Sequence, residues 1–167
     1  MKRRILLVDD DLAVLLTLKA VLELHGFEVE TAGSSAEAFA RMQFNVYHLV
    51  ISDLRMETEE AGLEVIRAAR RQPYDPATAL LTAYPPSGEH WGGKHWDGEH
   101  CDGKPRNGKP QEGEDWGGEN SDSVLIKPLG TGDLLRQVEA LLIRHADKQE
   151  RKRNYASKAQ ETSRRAG

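Results

Sequence analysis

Short unbroken apolar runs alternate along the chain with longer segments whose apolar residues fall at helical spacing. The unbroken runs are Ile5-Leu6-Leu7-Val8, Leu49-Val50-Ile51, Ala77-Thr78-Ala79-Leu80-Leu81-Thr82 and Val124-Leu125-Ile126. Each is bounded by polar residues, which suits a strand buried on both faces. Phe27-Glu28-Val29-Glu30-Thr31 alternates instead and predicts a strand with one exposed face. From about Leu12 to His25, Leu15, Leu18 and Leu22 recur at helical steps, Val14 and Val21 widen the stripe, and Gly26 is the expected stop. Ser34-x-x-Glu37 is a capping box opening a second helix, with Ala38, Phe39 and Met42 inward. Gly62 to Arg71 reads as a third helix halted by Pro73, and Asp133 to His145 as a last one. Strands alternating with helices predict an α/β protein with a parallel sheet and right-handed crossovers.

The chemistry sits where the strands end. In an open α/β sheet, ligands bind beyond the carboxyl ends of the strands. The first strand runs into Asp9-Asp10-Asp11, the third ends on Asp53, the fourth on Thr82, and the fifth leads into Lys127. Each has an ordinary explanation. An Asp caps a helix, a Thr fills a strand, and a Lys is solvated. Three adjacent carboxylates repel one another, however, and a nearby cation would relieve them. Together these residues form a site able to hold a divalent cation and a phosphoryl group.

Composition narrows the setting. The 167 residues suit one domain plus some extra, and a net charge of −4 is too mild to make nucleic acid the main partner. One cysteine cannot close an internal disulfide, which fits a reducing compartment. Met1-Lys2-Arg3-Arg4 looks like the start of a signal peptide, but Asp9 ends the apolar run too early for a leader or a membrane span. The expectation is a soluble, cytoplasmic protein.

The Asp pair after the first strand, Asp53 after the third, Thr82-Ala83 after the fourth and Lys127-Pro128 after the fifth resemble the receiver domain of two-component response regulators. The resemblance spans about residues 3 to 146, apart from one interruption. It implies a doubly wound, flavodoxin-like sheet of five parallel strands in the order 2-1-3-4-5. It implies Asp53 as phosphoacceptor, attacking a phosphohistidine on a sensor histidine kinase or phosphotransfer protein. It implies Asp10, Asp53 and the backbone carbonyl of Arg55 as Mg²⁺ ligands, with Asp9 in support. Lys127 would pair with a phosphoryl oxygen, and Thr82 would hydrogen-bond the phosphoryl group and relay its arrival. The Lys127-Pro128 bond is cis in similar proteins. Signalling to a downstream protein by altered contacts, with self-dephosphorylation rather than enzymatic turnover, completes the expectation.

The chain also departs from that pattern. Receivers usually read Met-Pro after the phosphoacceptor, whereas Met56 is followed by Glu57-Thr58-Glu59-Glu60-Ala61-Gly62. The acidity of that loop bears on Mg²⁺ affinity and on the lifetime of the phosphoryl group. Three positions before the Lys, where an aromatic is usual, stands Val124, with no ring to turn. Residues 85–123 hold no Ala, Val, Ile, Leu, Met, Phe or Tyr and cannot build an apolar helix face. Gly93, Gly98, Gly103, Gly108, Gly113 and Gly118 mark a five-residue repeat there. A solvated low-complexity loop is the plain expectation. Alternatives are a metal site at His90, His95, His100 and Cys101, or a partner-binding segment using Trp91, Trp96 and Trp116.

The expected organisation is therefore a receiver over 1–146 and a basic tail over 147–167 without an output domain. The tail carries seven basic and three acidic residues and reads as a helix extension or linker stub in preference to a nucleic-acid arm. Two rival functions stand beside a stand-alone receiver. One is a receiver that binds without switching. The other is a haloacid-dehalogenase-type phosphatase built on Asp9-x-Asp11, in which Ala13 occupies a position that should be Thr or Val.

Overall fold

The apolar runs assemble into one parallel sheet. In this computed structural model, residues 2–58, 60–83, 122–127 and 130–165 are described. The elements are β1 (Arg4–Val8), α1 (Leu12–Leu24), β2 (Glu28–Ala32), α2 (Ser35–Phe44), β3 (Leu49–Asp53), α3 (Ala61–Arg70), β4 (Ala77–Thr82), β5 (Ser123–Ile126) and α4 (Thr131–Arg165). Every pairing is parallel, as the alternation of strands and helices predicts, and the strand order is β2-β1-β3-β4-β5, as the resemblance implies. It is a doubly wound, flavodoxin-like α/β fold.

Strand side chains point alternately to the two faces, so each central strand feeds two cores. Ile5, Leu7, Leu49, Ile51, Ala79, Leu81 and Leu125 pack with Leu15 and Leu22 of α1 and Leu134, Val138 and Leu141 of α4. Leu6, Val8 and Val50 pack with Ala38 and Met42 of α2 and Val65 and Ala69 of α3. This double burial is why β1, β3 and β4 read as continuous apolar runs, whereas β2, at an edge, alternates.

Most element ends fall within a residue of expectation, and the shifts have local causes. The second strand begins at Glu28, not Phe27, because the Phe27 amide donates to the Leu22 carbonyl in the turn that ends α1. Gly26 makes that turn at a φ of 88°, a left-handed conformation that favours glycine. At α2, Ser34 Oγ accepts from the Glu37 amide, and the Glu37 carboxylate accepts from Gly33, one residue earlier than in the usual capping box.

The last helix differs most. Predicted over Asp133 to His145, it runs from Thr131 to Arg165 and crosses the expected domain limit at 146 without a break. The residues added after His145 include no Pro or Gly up to Arg165 and are rich in Lys, Arg, Glu, Gln and Ala, which are good helix formers. A tertiary contact holds its middle. The Asp75 carbonyl accepts from Gln149 Nε2 at 2.7 Å and lies 2.8 Å from His145 Nε2, while Lys152 reaches the Asp75 carboxylate at 3.3 Å. Asp75 adopts a left-handed backbone conformation, with a φ of 42°, in the turn that meets the helix.

The fifth strand is pinned at its start. Asp122 Oδ2 accepts from both the amide and the hydroxyl of Thr78 at 2.9 Å, and the Asp122 amide donates to the Thr78 carbonyl at 3.1 Å. Lys148 of α4 lies 3.8 Å from the other Asp122 oxygen. The repeat, with its candidate His, Cys and Trp residues, and the expected cis bond at Lys127-Pro128 lie outside the described residues. Among the described residues, no helix is long and apolar enough to cross a membrane.

Candidate functional site

β1 and β3 are direct neighbours, with Val8 opposite Ser52, so Asp9 and Asp53 emerge side by side beyond the strand ends. The three consecutive aspartates then separate into different roles. Asp11 caps α1, its Oδ1 accepting from Ala13 at 2.8 Å and from Val14 at 3.3 Å. Asp9 is only 1 % exposed. One of its oxygens accepts from the Asp11 amide at 2.9 Å and the other from Lys127 Nζ at 2.8 Å. Asp10 is exposed. Asp9, Asp10 and Asp53 each place a carboxylate oxygen within 4.8 Å of the others.

Lys127 reaches this group from the far edge of the sheet. Its amide donates to the Thr82 carbonyl at 2.7 Å, which continues the β4–β5 ladder by one bond. Its ammonium then spans β4 and bridges Asp9 at 2.8 Å and Asp53 at 2.9 Å. The second Asp53 oxygen accepts from the Arg55 amide at 3.1 Å. Thr82 is buried at the end of β4, opposite Ile126. Of the residues predicted for the site, Asp9, Asp10, Asp53 and Lys127 thus share one cluster. Thr82 and Arg55 flank it through backbone bonds.

Among the described residues, three carboxylates face one ammonium here. Burial pushes the Asp53 carboxyl above its ordinary pKa, and the Asp9 charge adds to that, against the opposing pull of Lys127. Burial also works against the Lys127 ammonium, but its bonds to Asp53 and Asp9 outweigh it and raise the pKa. The cluster is anionic and short of positive charge. Carboxylate oxygens in partial water contact are the donor type that Mg²⁺ selects, since that ion binds through one or two carboxylates and keeps several waters.

Two residues shape the site in ways that sequence reasoning does not reach. A Cβ on Gly62 would lie 2.0 Å from the Asp53 carbonyl oxygen and 2.8 Å from Leu54 Cα. The start of α3 therefore rests directly on the backbone of the acidic strand end, and only glycine permits that approach. Glu57 contributes more than acidity to its loop. Its Oε1 accepts from the Ser35 amide at 2.8 Å and from the Ser35 hydroxyl, on the first turn of α2. Nothing local to either residue signals a contact across 22 positions.

The response regulator receiver domain family matches residues 5–88. The chain belongs to the response-regulator receiver family. It is 42 % identical over 81 residues to the alginate biosynthesis transcriptional regulatory protein AlgB of Pseudomonas syringae, covering 48 % of this chain and 18 % of that protein. It is 38 % identical over 82 residues to the acid tolerance regulatory protein ActR of Rhizobium meliloti, covering 49 % of this chain and 42 % of that one. The receiver thus spans less than half the length of these curated relatives. Among solved structures, a CheY-like receiver domain protein from Methanospirillum hungatei superposes with a TM-score of 0.65 at 23 % identity, over 89 % of this chain and 99 % of that one. The response regulator TrrA of Thermotoga maritima, solved in complex with Mg²⁺-BeF, gives a TM-score of 0.58 at 27 % identity, over 83 % and 98 %.

Proposed function

We propose that this receiver accepts a phosphoryl group on Asp53 from a histidine kinase or phosphotransfer protein of the cytoplasm, in a Mg²⁺-dependent reaction, and signals through altered protein contacts. The observation that carries the reading is the convergence of Asp9, Asp10 and Asp53 within 4.8 Å, with Lys127 bridging two of them.

In the proposed step an Asp53 oxygen attacks phosphorus. The phosphorus–nitrogen bond of the phosphohistidine breaks, its electron pair stays on the imidazole, and an acyl phosphate forms. Phosphoryl transfer depends chiefly on positioning and charge neutralisation. Asp10, Asp53 and the Arg55 carbonyl would hold Mg²⁺, with Asp9 in support, and the ion would supply the positive charge that the cluster lacks. Lys127 would follow the phosphoryl oxygens as a point charge. Thr82 would donate its hydroxyl to the new group and pass the change into β4.

Asp11 is committed to capping α1, which leaves the phosphatase reading without its second carboxylate. The binding-module reading keeps one observation in its favour. Val124, half-buried in β5, offers no ring that could swing on phosphorylation.

Incubation with Mg²⁺ and acetyl phosphate, followed by intact mass, tests the proposal. One added phosphoryl group is expected, absent with chelator and absent in Asp53→Asn. Labelling that persists in Asp53→Asn overturns it.

A further inference from the structure

We infer that Glu57 is a positioning residue for the cation site: its carboxylate latches the loop after Asp53 to the first turn of α2 and so holds the Arg55 carbonyl in place. The inference rests on the reading of this cluster as a Mg²⁺-dependent phosphoacceptor site. Glu57 stands where similar receivers have Pro, and proline restricts a loop by fixing φ. Glutamate fixes nothing by itself, so this loop needs another restraint.

The contacts supply one. Asp53 holds the near end of the loop through the Arg55 amide, and Gly62 seats its far end on the Asp53 carbonyl. Between them, among the described residues of the loop, the backbone bonds that Met56 and Ala61 donate to the Thr58 carbonyl are long, 3.4 Å each. Glu57 is then tied to a separate element by two bonds from a single residue, Ser35. The arrangement also completes α2. The first turn of a helix has amides without intrahelical partners. Ser34 satisfies Glu37, Glu37 turns back to Gly33, and the Ser35 amide is left for Glu57. A carboxylate is favoured at that end of a helix. Glu57 is two residues from Arg55, so releasing it frees the peptide whose carbonyl would face the ion.

Linkage makes the effect reciprocal. If the latch favours the cation, the cation must tighten the latch. Mg²⁺ should therefore slow hydrogen exchange at the Ser35 amide, although α2 supplies none of the proposed ligands.

Calorimetric Mg²⁺ titration of the full chain, with acetyl phosphate labelling rates measured across Mg²⁺ concentration, reads the latch. Outer partners of metal sites typically change affinity by about tenfold or more. Glu57→Ala should weaken Mg²⁺ binding by about that factor, while the labelling rate at saturating Mg²⁺ stays within about twofold. Glu57→Gln keeps an acceptor oxygen and should rescue most of the loss. Ser35→Ala removes one of the two bonds from the other side and should give an intermediate loss. Glu60→Ala removes a charge of the same loop that makes no cap contact, so it controls for loop acidity and should weaken Mg²⁺ binding far less than Glu57→Ala. Equal weakening in Glu57→Gln and Glu57→Ala, or none in Glu57→Ala and Ser35→Ala, overturns the latch. Failure of the parent protein to label at all would instead overturn the phosphoacceptor reading, while the Mg²⁺ titration and Ser35 exchange would still report on the latch.

Discussion

The two ends of the same sheet supply their carboxylates with partners in opposite ways. At the amino ends of the strands, Arg4 lies 3.2 Å from Glu28, pairs with Glu30, and sits over the Tyr47 ring at 5.4 Å. Arg41 adds contacts to Glu30 at 3.4 Å and Glu37 at 2.6 Å, and the Tyr47 hydroxyl donates to Glu30 at 2.7 Å. Each of these carboxylates has a cation against it. At the carboxyl ends, among the described residues, three carboxylates gather beside one ammonium, which bridges only two of them. Burial raises the pKa of both Glu30 and Asp53, yet the net directions differ. For Glu30, Tyr47 and Arg4 outweigh burial and hold it below its ordinary value, whereas Asp53 stays above its own. Burial alone does not decide the direction of either shift. The supply of partners does.

The largest effect should come from removing the ammonium at the acidic end. Lys127→Met strands Asp9 and Asp53, and breaking a buried pair typically costs about 3 kcal/mol or more. Urea unfolding in chelator should show that loss, and added Mg²⁺ should recover part of it. Gly62→Ala attacks the same end through sterics. Its Cβ would meet the Asp53 carbonyl at 2.0 Å. Overpacking of this kind should cost about 2–3 kcal/mol, read by the same titration, together with loss of acetyl phosphate labelling.

At the opposite end, Glu30→Gln should cost about 1–2 kcal/mol at neutral pH, since the ionised acceptor makes the stronger bonds. The folded pKa of Glu30 lies below its ordinary 4.5. Its contribution is therefore present above that value and lost as pH falls through the folded pKa. The difference between parent and variant should shrink in acid, as followed by thermal melts at stepped pH. The smallest change should have the reverse sign. Asp53→Asn should slightly stabilise the metal-free protein, because it removes a charge that burial disfavours more than Lys127 favours it. The folded pKa of Asp53 lies above its ordinary 3.8, so the penalty is absent below 3.8, grows as pH rises toward the folded pKa and is complete above it. The advantage of Asn should appear only on that alkaline side, and Mg²⁺ should cancel it by binding the parent.

The sheet was legible because its strands are unbroken apolar runs and its helices carry apolar stripes, patterns that local residues alone dictate. The acidic cluster was legible because its members end separate strands, which the parallel topology brings to one edge. The Glu57–Ser35 contact was not, since two ordinary polar residues 22 positions apart carry no periodic mark. Neither was the Asp122–Thr78 contact, which spans 44 positions. The length of the last helix was hidden because the apolar stripe ends near His145. Beyond it, helix-forming composition and the Asp75 carbonyl carry the helix forward. Hydrophobic patterning finds elements that build a core and overlooks those that leave it.

The clamps at either end of β5 have a practical consequence. Asp122 locks onto Thr78 at the start of the strand and the Lys127 amide onto Thr82 at its end, so β5 does not depend on what links it to β4 for its register. Closing a longer flexible link costs little, about 0.6 kcal/mol for each doubling of length. The junctions at Ala83 and Asp122 are thus natural splice points, where a fluorescent reporter or a foreign peptide could be carried without moving Asp53.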